Sequence, residues 1–148
     1  MQIEMTISGL MIDPVTHMPI VVLRDGDGRR VLPIWVGLFE ANAIALQMEQ
    51  VQTPRPMTHD LLKSVVEGLA ARVERVVVCD LRDNTFYASI HLVTAEARRL
   101  VDARPSDAIA LALRAGAPIF VEETVIDDVL MPTHLSSRGQ AVTRLLLD

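Results

Sequence analysis

Two short stretches carry the residue types from which a phosphate-handling site could be built. At 55–60 the sequence reads Arg-Pro-Met-Thr-His-Asp, and at 104–107 it reads Arg-Pro-Ser-Asp. Each sets an arginine before a proline, then a hydroxyl residue and an aspartate at a predicted helix start. Pro56 and Pro105 hold the incoming chain extended. Thr58 and Ser106 are the predicted N-caps, and Asp60 and Asp107 fall in the first turn, where the helix dipole favours negative charge.

Two readings follow. In the structural one, Arg55 and Arg104 pair with the aspartates and tie the helix ends. In the chemical one, free N–H groups at a helix start attract phosphate, and an arginine fork binds it bidentately. Neighbouring carboxylates would then hold Mg²⁺ or Mn²⁺, which prefer oxygen ligands. Asp60, Asp107, Glu40 and Glu123 are the candidate metal ligands. Asp60, His59, Asp107, Arg104 and Arg55 are the candidate catalytic set, and Thr58, Ser106, Arg55 and Arg104 the candidate substrate contacts. His59 is either a general base or a cap-region histidine packed on a neighbour. The chemical reading requires several helix starts to converge.

The other polar residues read as structural. His91 lies on an outward strand face with Tyr87, His17 in a loop and His134 in the tail, none at metal-ligand spacing. Asp25 and Asp27 read as turn residues, and Asp127-Asp128 as a solvated helix face. Cys79, the one cysteine, excludes an intrachain disulfide and a multi-cysteine zinc site and reads as a buried space-filler. Phosphate loops of the GxxxxGK[ST] type, GxGxxG, HExxH and GxSxG are all absent, so nucleotide-loop, zincin and serine-hydrolase chemistries are disfavoured.

The elements that must position these residues follow from periodicity. Residues 2–11 alternate as a half-buried strand. Segments 19–24 and 30–36 form a hairpin around Arg-Asp-Gly-Asp-Gly-Arg, with Pro33 marking an edge strand. Leu38 to Gln50 reads as a helix apolar on nearly all sides, hence packed on several. A second helix from Thr58 shows a buried face of Leu61, Leu62, Val65, Val66 and Leu69, with Lys63, Ser64 and Glu67 outward. Strands at 72–81, largely buried, and 85–93 join through Asp83-Asn84, and 98–103 lies beside them. A helix from Ser106 to Ala115 stops at Gly116, followed by a short strand at 118–122 and a short helix from Glu123. The expected fold is a single compact α+β domain at 1–130, a mixed or antiparallel sheet with Ala-rich buried helices. Residues 131–148 read as a weakly structured tail or a docking helix.

Half of the 148 residues are hydrophobic, enough for a compact core and against whole-chain disorder. The net charge of −5 argues against nucleic-acid binding by a broad basic surface, and 3% aromatics supply no base-stacking platform. No signal peptide or membrane span is visible, so the expectation is a soluble cytoplasmic protein.

LPIWVGLFEANAIAL (32–46), RPMTHDLL (55–62), DNTFYASIHL (83–92) and VDARPSDAIALALRAGAPIFVEE (101–123) resemble, in order, the bifunctional nuclease domain of bacteria and plants. The match spans about residues 1 to 130. Asn84 departs from the glycine usual there but tolerates the same left-handed turn. The resemblance implies a compact α+β domain, often a homo-oligomer, and a nuclease that cuts both DNA and RNA. Its polar motif positions fall on Glu40, Arg55, Thr58, His59, Asp60, Arg104, Ser106, Asp107 and Glu123. The alternative function is a non-catalytic oligomeric binding or regulatory module with an anion site at its helix starts.

Overall fold

The computed structural model describes residues 1–127. The tail from 131, His134 and the second member of the Asp127-Asp128 pair lie outside the described residues, as does the expected domain boundary at 130.

The chain folds as one α+β domain around a seven-stranded mixed sheet. The strands are β1 (Gln2–Ile12), β2 (Pro19–Asp25), β3 (Val31–Trp35), β4 (Arg72–Arg82), β5 (Thr85–Val93), β6 (Arg98–Ala103) and β7 (Ile119–Glu122). The helices are α1 (Leu38–Met48), α2 (Thr58–Gly68), α3 (Pro105–Ala115) and α4 (Glu123–Asp127). Two antiparallel meanders, β3-β2-β1 and β4-β5-β6, are joined through β7. This last strand runs antiparallel to β1 and parallel to β4. Its placement at the centre was not readable from its position in sequence.

Local chemistry explains most boundaries. Asp83 and Asn84 both take positive φ, the geometry of a two-residue hairpin turn. Gly116 caps α3 at φ 65. Asp25 is the turn residue expected, accepting the backbone N–H groups of Arg29 and Arg30. Asp13 closes the turn after β1, accepting from Val15 N–H and from Trp35 Nε1 at 3.0 Å. Edge strand β3 contains Pro33, as anticipated. Helix α1 stops two residues before the predicted end, and Gln50 sits at positive φ.

The main core lies between α1, α3 and the strand faces carrying Val21, Leu23, Ile34, Val76, Val78 and Ile90. A smaller cluster of Met11, Ile20 and Val22, with Trp35, sits on the other face.

Four burial expectations are corrected. Helix α1 buries Ala41, Ala43, Ile44 and Ala45, but Leu38 and Phe39 in its first turn are exposed. Strand β4 is buried only at Val76, Val77 and Val78. Cys79 is exposed, because the register with β5 shifts between Val78 and Asp80 and turns its side chain outward; desolvation still raises its thiol pKa. Most notably, the apolar face of α2 is not covered. Leu61, Leu62, Val65 and Leu69 are 56%, 37%, 50% and 75% exposed, and His59 is the buried residue of that helix. The period was right, but period alone does not say whether a partner surface exists within the chain.

Candidate active site

Helix starts α1, α2 and α3 meet through one chain of polar side chains. Arg104 is the N-cap residue of α3, in extended conformation, and its side chain reaches both ways. Its Nε and Nη2 donate to Asp107 Oδ2 at 2.9 and 2.8 Å, and Nη1 lies 3.0 Å from Glu40 Oε1 on α1. The other oxygen of Asp107, Oδ1, is 2.9 Å from His59 Nε2 on α2. His59 is 11% exposed and Arg104 65%. The row Glu40–Arg104–Asp107–His59 therefore runs from two carboxylates clamped by an open guanidinium to a nearly buried imidazole. Asp107, followed by Glu40, raises the Arg104 pKa further, so its charge is fixed at any working pH.

Glycine at 37 makes this row possible. It precedes α1, and the Glu40 carboxylate folds back over it; a side chain at 37 would collide with that carboxylate. Arg104 also lines two cavities. One of about 310 Å³ holds Gly37, Phe86 and Ser106, and one of about 640 Å³ holds Thr58, His59 and Asp107.

A second ion pair sits on the far side of α2's first turn. Arg114, 4% exposed in the last turn of α3, donates through Nε to Asp60 Oδ1 at 2.7 Å. Its other nitrogens donate to Ala110 O and Ala43 O, each at 2.9 Å. Asp60 Oδ2 accepts the Met57 backbone N–H at 2.9 Å, the reciprocal half of a capping box. Hydrogen bonding from Met57 and the charge and donation of Arg114 together hold the Asp60 pKa below 3.8 against desolvation.

These positions sort the sequence candidates. Glu40, Arg104, Asp107 and His59 come together. Asp60 belongs to the Arg114 tie, and the expected Arg55–Asp60 pairing does not form. The Arg55 side chain is exposed, with no ion pair among the described residues, and lines a cavity of about 340 Å³ beside Asp60 and Arg114. Glu123 pairs with Arg30 at 3.0 Å, away from the row. Thr58 and Ser106 are not N-caps: Met57 and Arg104 hold those positions, and neither gives a side-chain oxygen. Thr58 lines the larger cavity and Ser106 is buried in the first turn of α3. Among the described residues no three His, Cys, Asp or Glu side chains gather into a metal-holding group, so the four-carboxylate set does not assemble. Strand histidine His91 is part-buried, accepts or donates to Ser89 Oγ at 3.3 Å, and has its pKa lowered by desolvation and by Arg75.

Sequence reasoning missed Arg114 and Gly37. A signal for Arg114 was present: one arginine inside Ala-Ile-Ala-Leu-Ala-Leu-Arg-Ala, on a helix expected to be buried all round, requires a carboxylate partner. Nothing in sequence foretold that the Glu40 side chain would curl back over Gly37.

A family model for the bifunctional nuclease domain matches residues 21–134. An uncharacterized protein of Mycobacterium tuberculosis is 42% identical over 143 residues, covering 95% of this chain and 85% of its own length. Bifunctional nuclease 1 of Oryza sativa subsp. japonica is 26% identical over 144 residues, 90% of this chain but 44% of that protein. Bifunctional nuclease 1 of Arabidopsis thaliana is 32% identical over 109 residues, 71% of this chain and 34% of the plant protein. With the family model matching residues 21–134 and a relative 42% identical over 95% of the chain, the chain belongs to the bifunctional nuclease domain family.

Proposed function

We propose that the protein is a nuclease that hydrolyses phosphodiester bonds of DNA and RNA with little sequence preference, at the Glu40–Arg104–Asp107–His59 row. One observation carries the reading: an open arginine fork on two carboxylates, continued by a carboxylate–imidazole pair. Asp107 takes the His59 Nε2–H, which orients the ring and leaves the Nδ1 lone pair to accept a proton from an attacking water. Arg104 uses its remaining donors on a phosphate oxygen and offsets the charge that develops at phosphorus. Arg55, without a competing carboxylate, supplies a second backbone contact. Thr58 lines the cavity beside His59 and Asp107 and can meet the phosphate there, whereas Ser106 is buried in the first turn of α3 and supports that helix start. Contacts made to phosphate alone carry no base information, which accounts for acting on both nucleic acids.

A divalent ion would need Glu40 and Asp107 as its protein ligands, each giving up an oxygen now held by Arg104 or His59, with the rest of its shell from water and substrate phosphate. When bound it would supply charge stabilisation at the phosphoryl oxygens. Asp60 and Glu123 are held by their own arginines and take no part.

The test is cleavage of labelled single- and double-stranded DNA and RNA, with Mg²⁺, Mn²⁺ or EDTA, by wild type and His59→Gln. The expected result is cutting of both nucleic acids, lowered in the variant by about 10²–10⁴-fold, the usual worth of a positioned general base. Equal cutting by the variant, or cutting that separates from the protein on purification, removes the nuclease reading and leaves a non-catalytic module.

A further inference from the structure

We propose that the roughly 310 Å³ cavity on the Gly37 side of Arg104 is a subsite for one unpaired nucleobase, so that the chain acts on single-stranded DNA and RNA; its phosphate anchor rests on the nuclease reading of the row. Arg104 forms one wall of the cavity, and its open guanidinium is the group that holds the backbone phosphate in that reading. A base is joined to its phosphate through a single sugar. A phosphate on Arg104 therefore sets a base within reach of this cavity or of the groove on the other side.

The lining has the chemistry of a base site. Aromatic side chains make up only 3% of the chain, yet Trp35 and Phe86 both line this cavity, and both are half-buried. The indole is fixed in place by its Nε1–H, which donates to Asp13 Oδ2 at 3.0 Å. Val36 and Pro105 extend the apolar wall. Asn84 in the β4–β5 turn and Thr85 at the start of β5 bring an amide and a hydroxyl to the exposed rim. A concave, mostly apolar lining with a few polar groups is the usual form of a small-ligand site. Stacking on a ring is open to every base, so this site keeps the indifference to sequence.

Charge and size favour this cavity over its neighbour. Its lining carries no carboxylate, whereas Asp102 and Asp107 line the groove of about 640 Å³ and oppose a polyanion. Asp102 has no ion pair among the described residues to offset that charge. A volume of about 310 Å³ is at the small end of ligand pockets, with room for one base and its sugar but not for a base pair. In a duplex each base is paired and stacked, and must be flipped out to enter; a single strand meets far less of that cost.

Trp35 is the only tryptophan of the chain, so its fluorescence reads the cavity directly. Full-length His59→Gln, used to keep the strand intact, is titrated with a short single-stranded DNA, an abasic strand of the same length, and the duplex. The single strand should quench Trp35, and the abasic strand and duplex should not at the same concentration. Cleavage is then measured for Phe86→Leu, which removes the ring but keeps apolar volume, and for Thr85→Leu, which fills the cavity from its exposed rim; thermal melts establish that both are folded. In each, the ratio of kcat/KM for the base-bearing strand to that for the abasic strand should fall about tenfold, with the loss in KM, as expected for one lost stacking contact. Equal quenching by base-bearing and abasic strands, no quenching by either, or variants that keep the wild-type ratio would each overturn the base site and leave cleavage at the row standing. Quenching by the single strand alone, from a wild type that cuts nothing, would instead remove the nuclease reading and leave the base site standing.

Discussion

Arg104 is the N-cap residue of α3 and Asp107 lies three residues on in its first turn, close enough in sequence that their contact was within reach of sequence reasoning. What sequence could not supply was the third and fourth member. Glu40 arrives from α1 and His59 from α2, across 64 and 48 positions of chain. Nor could it decide between the two arginine readings. In the structure Arg104 is paired yet open, while Arg55 has no ion pair among the described residues. Gly37 belongs to this scale. Its φ of −70 is open to any residue, so alanine there meets no backbone strain, only the Glu40 carboxylate. The Gly37→Ala variant should therefore push Glu40 off Arg104 and lower cleavage as far as Glu40→Gln does. Its stability should fall by no more than about 1 kcal/mol, the N-cap difference between glycine and alanine. Parallel kinetics and thermal melts on the two variants would check this; a Gly37→Ala enzyme of full activity would separate Glu40 from the site.

At the scale of elements, Arg114 fixes how α1, α2 and α3 sit together. It is the buried cation that joins a carbonyl of α1, a carbonyl of its own helix and the Asp60 carboxylate of α2. Replacing it with alanine strands those acceptors and should cost about 3 kcal/mol, at the low end for a broken buried pair because Asp60 keeps partial access to solvent. Chemical denaturation measures it. The same tie predicts a pH dependence. The folded pKa of Asp60 lies below 3.8, so its contribution is complete above that value and is lost as pH falls through the folded one. Wild type should thus lose more stability on acidification below pH ~4 than Asp60→Asn does; identical acid profiles would show that the carboxylate is not held as described. The helices and strands were legible from their periods almost to the residue. The exposure of the α2 face was not, since hydrophobic spacing reports a face and not what covers it.

For the whole molecule, the sheet order puts β7, a strand late in sequence, at the junction of the two meanders. That insertion brings the α3 start, just before it in sequence, against the α1 start from the first half. Local pattern predicts the pieces of such a site but not a long-range pairing that depends on which strand edges remain open. No helix among the described residues is long and apolar enough to cross a membrane. On the proposed function, a net charge of −5 leaves substrate capture to Arg104 and Arg55. Cleavage should therefore respond weakly to salt, because few phosphates are neutralised per encounter. The slope of the logarithm of kcat/KM against the logarithm of salt concentration should be shallow, about −2 for two arginine contacts; a steep slope would show more phosphates neutralised per encounter than these two arginines supply. Whether the helix-start row cuts phosphodiesters is decided by Asp107→Asn, purified as wild type and shown to melt within a few degrees of it. Asparagine keeps the shape but no longer holds the His59 ring or the Arg104 fork by charge. Cleavage of both DNA and RNA should fall by at least about a hundredfold in the folded variant. Unchanged cleavage by that variant would contradict it.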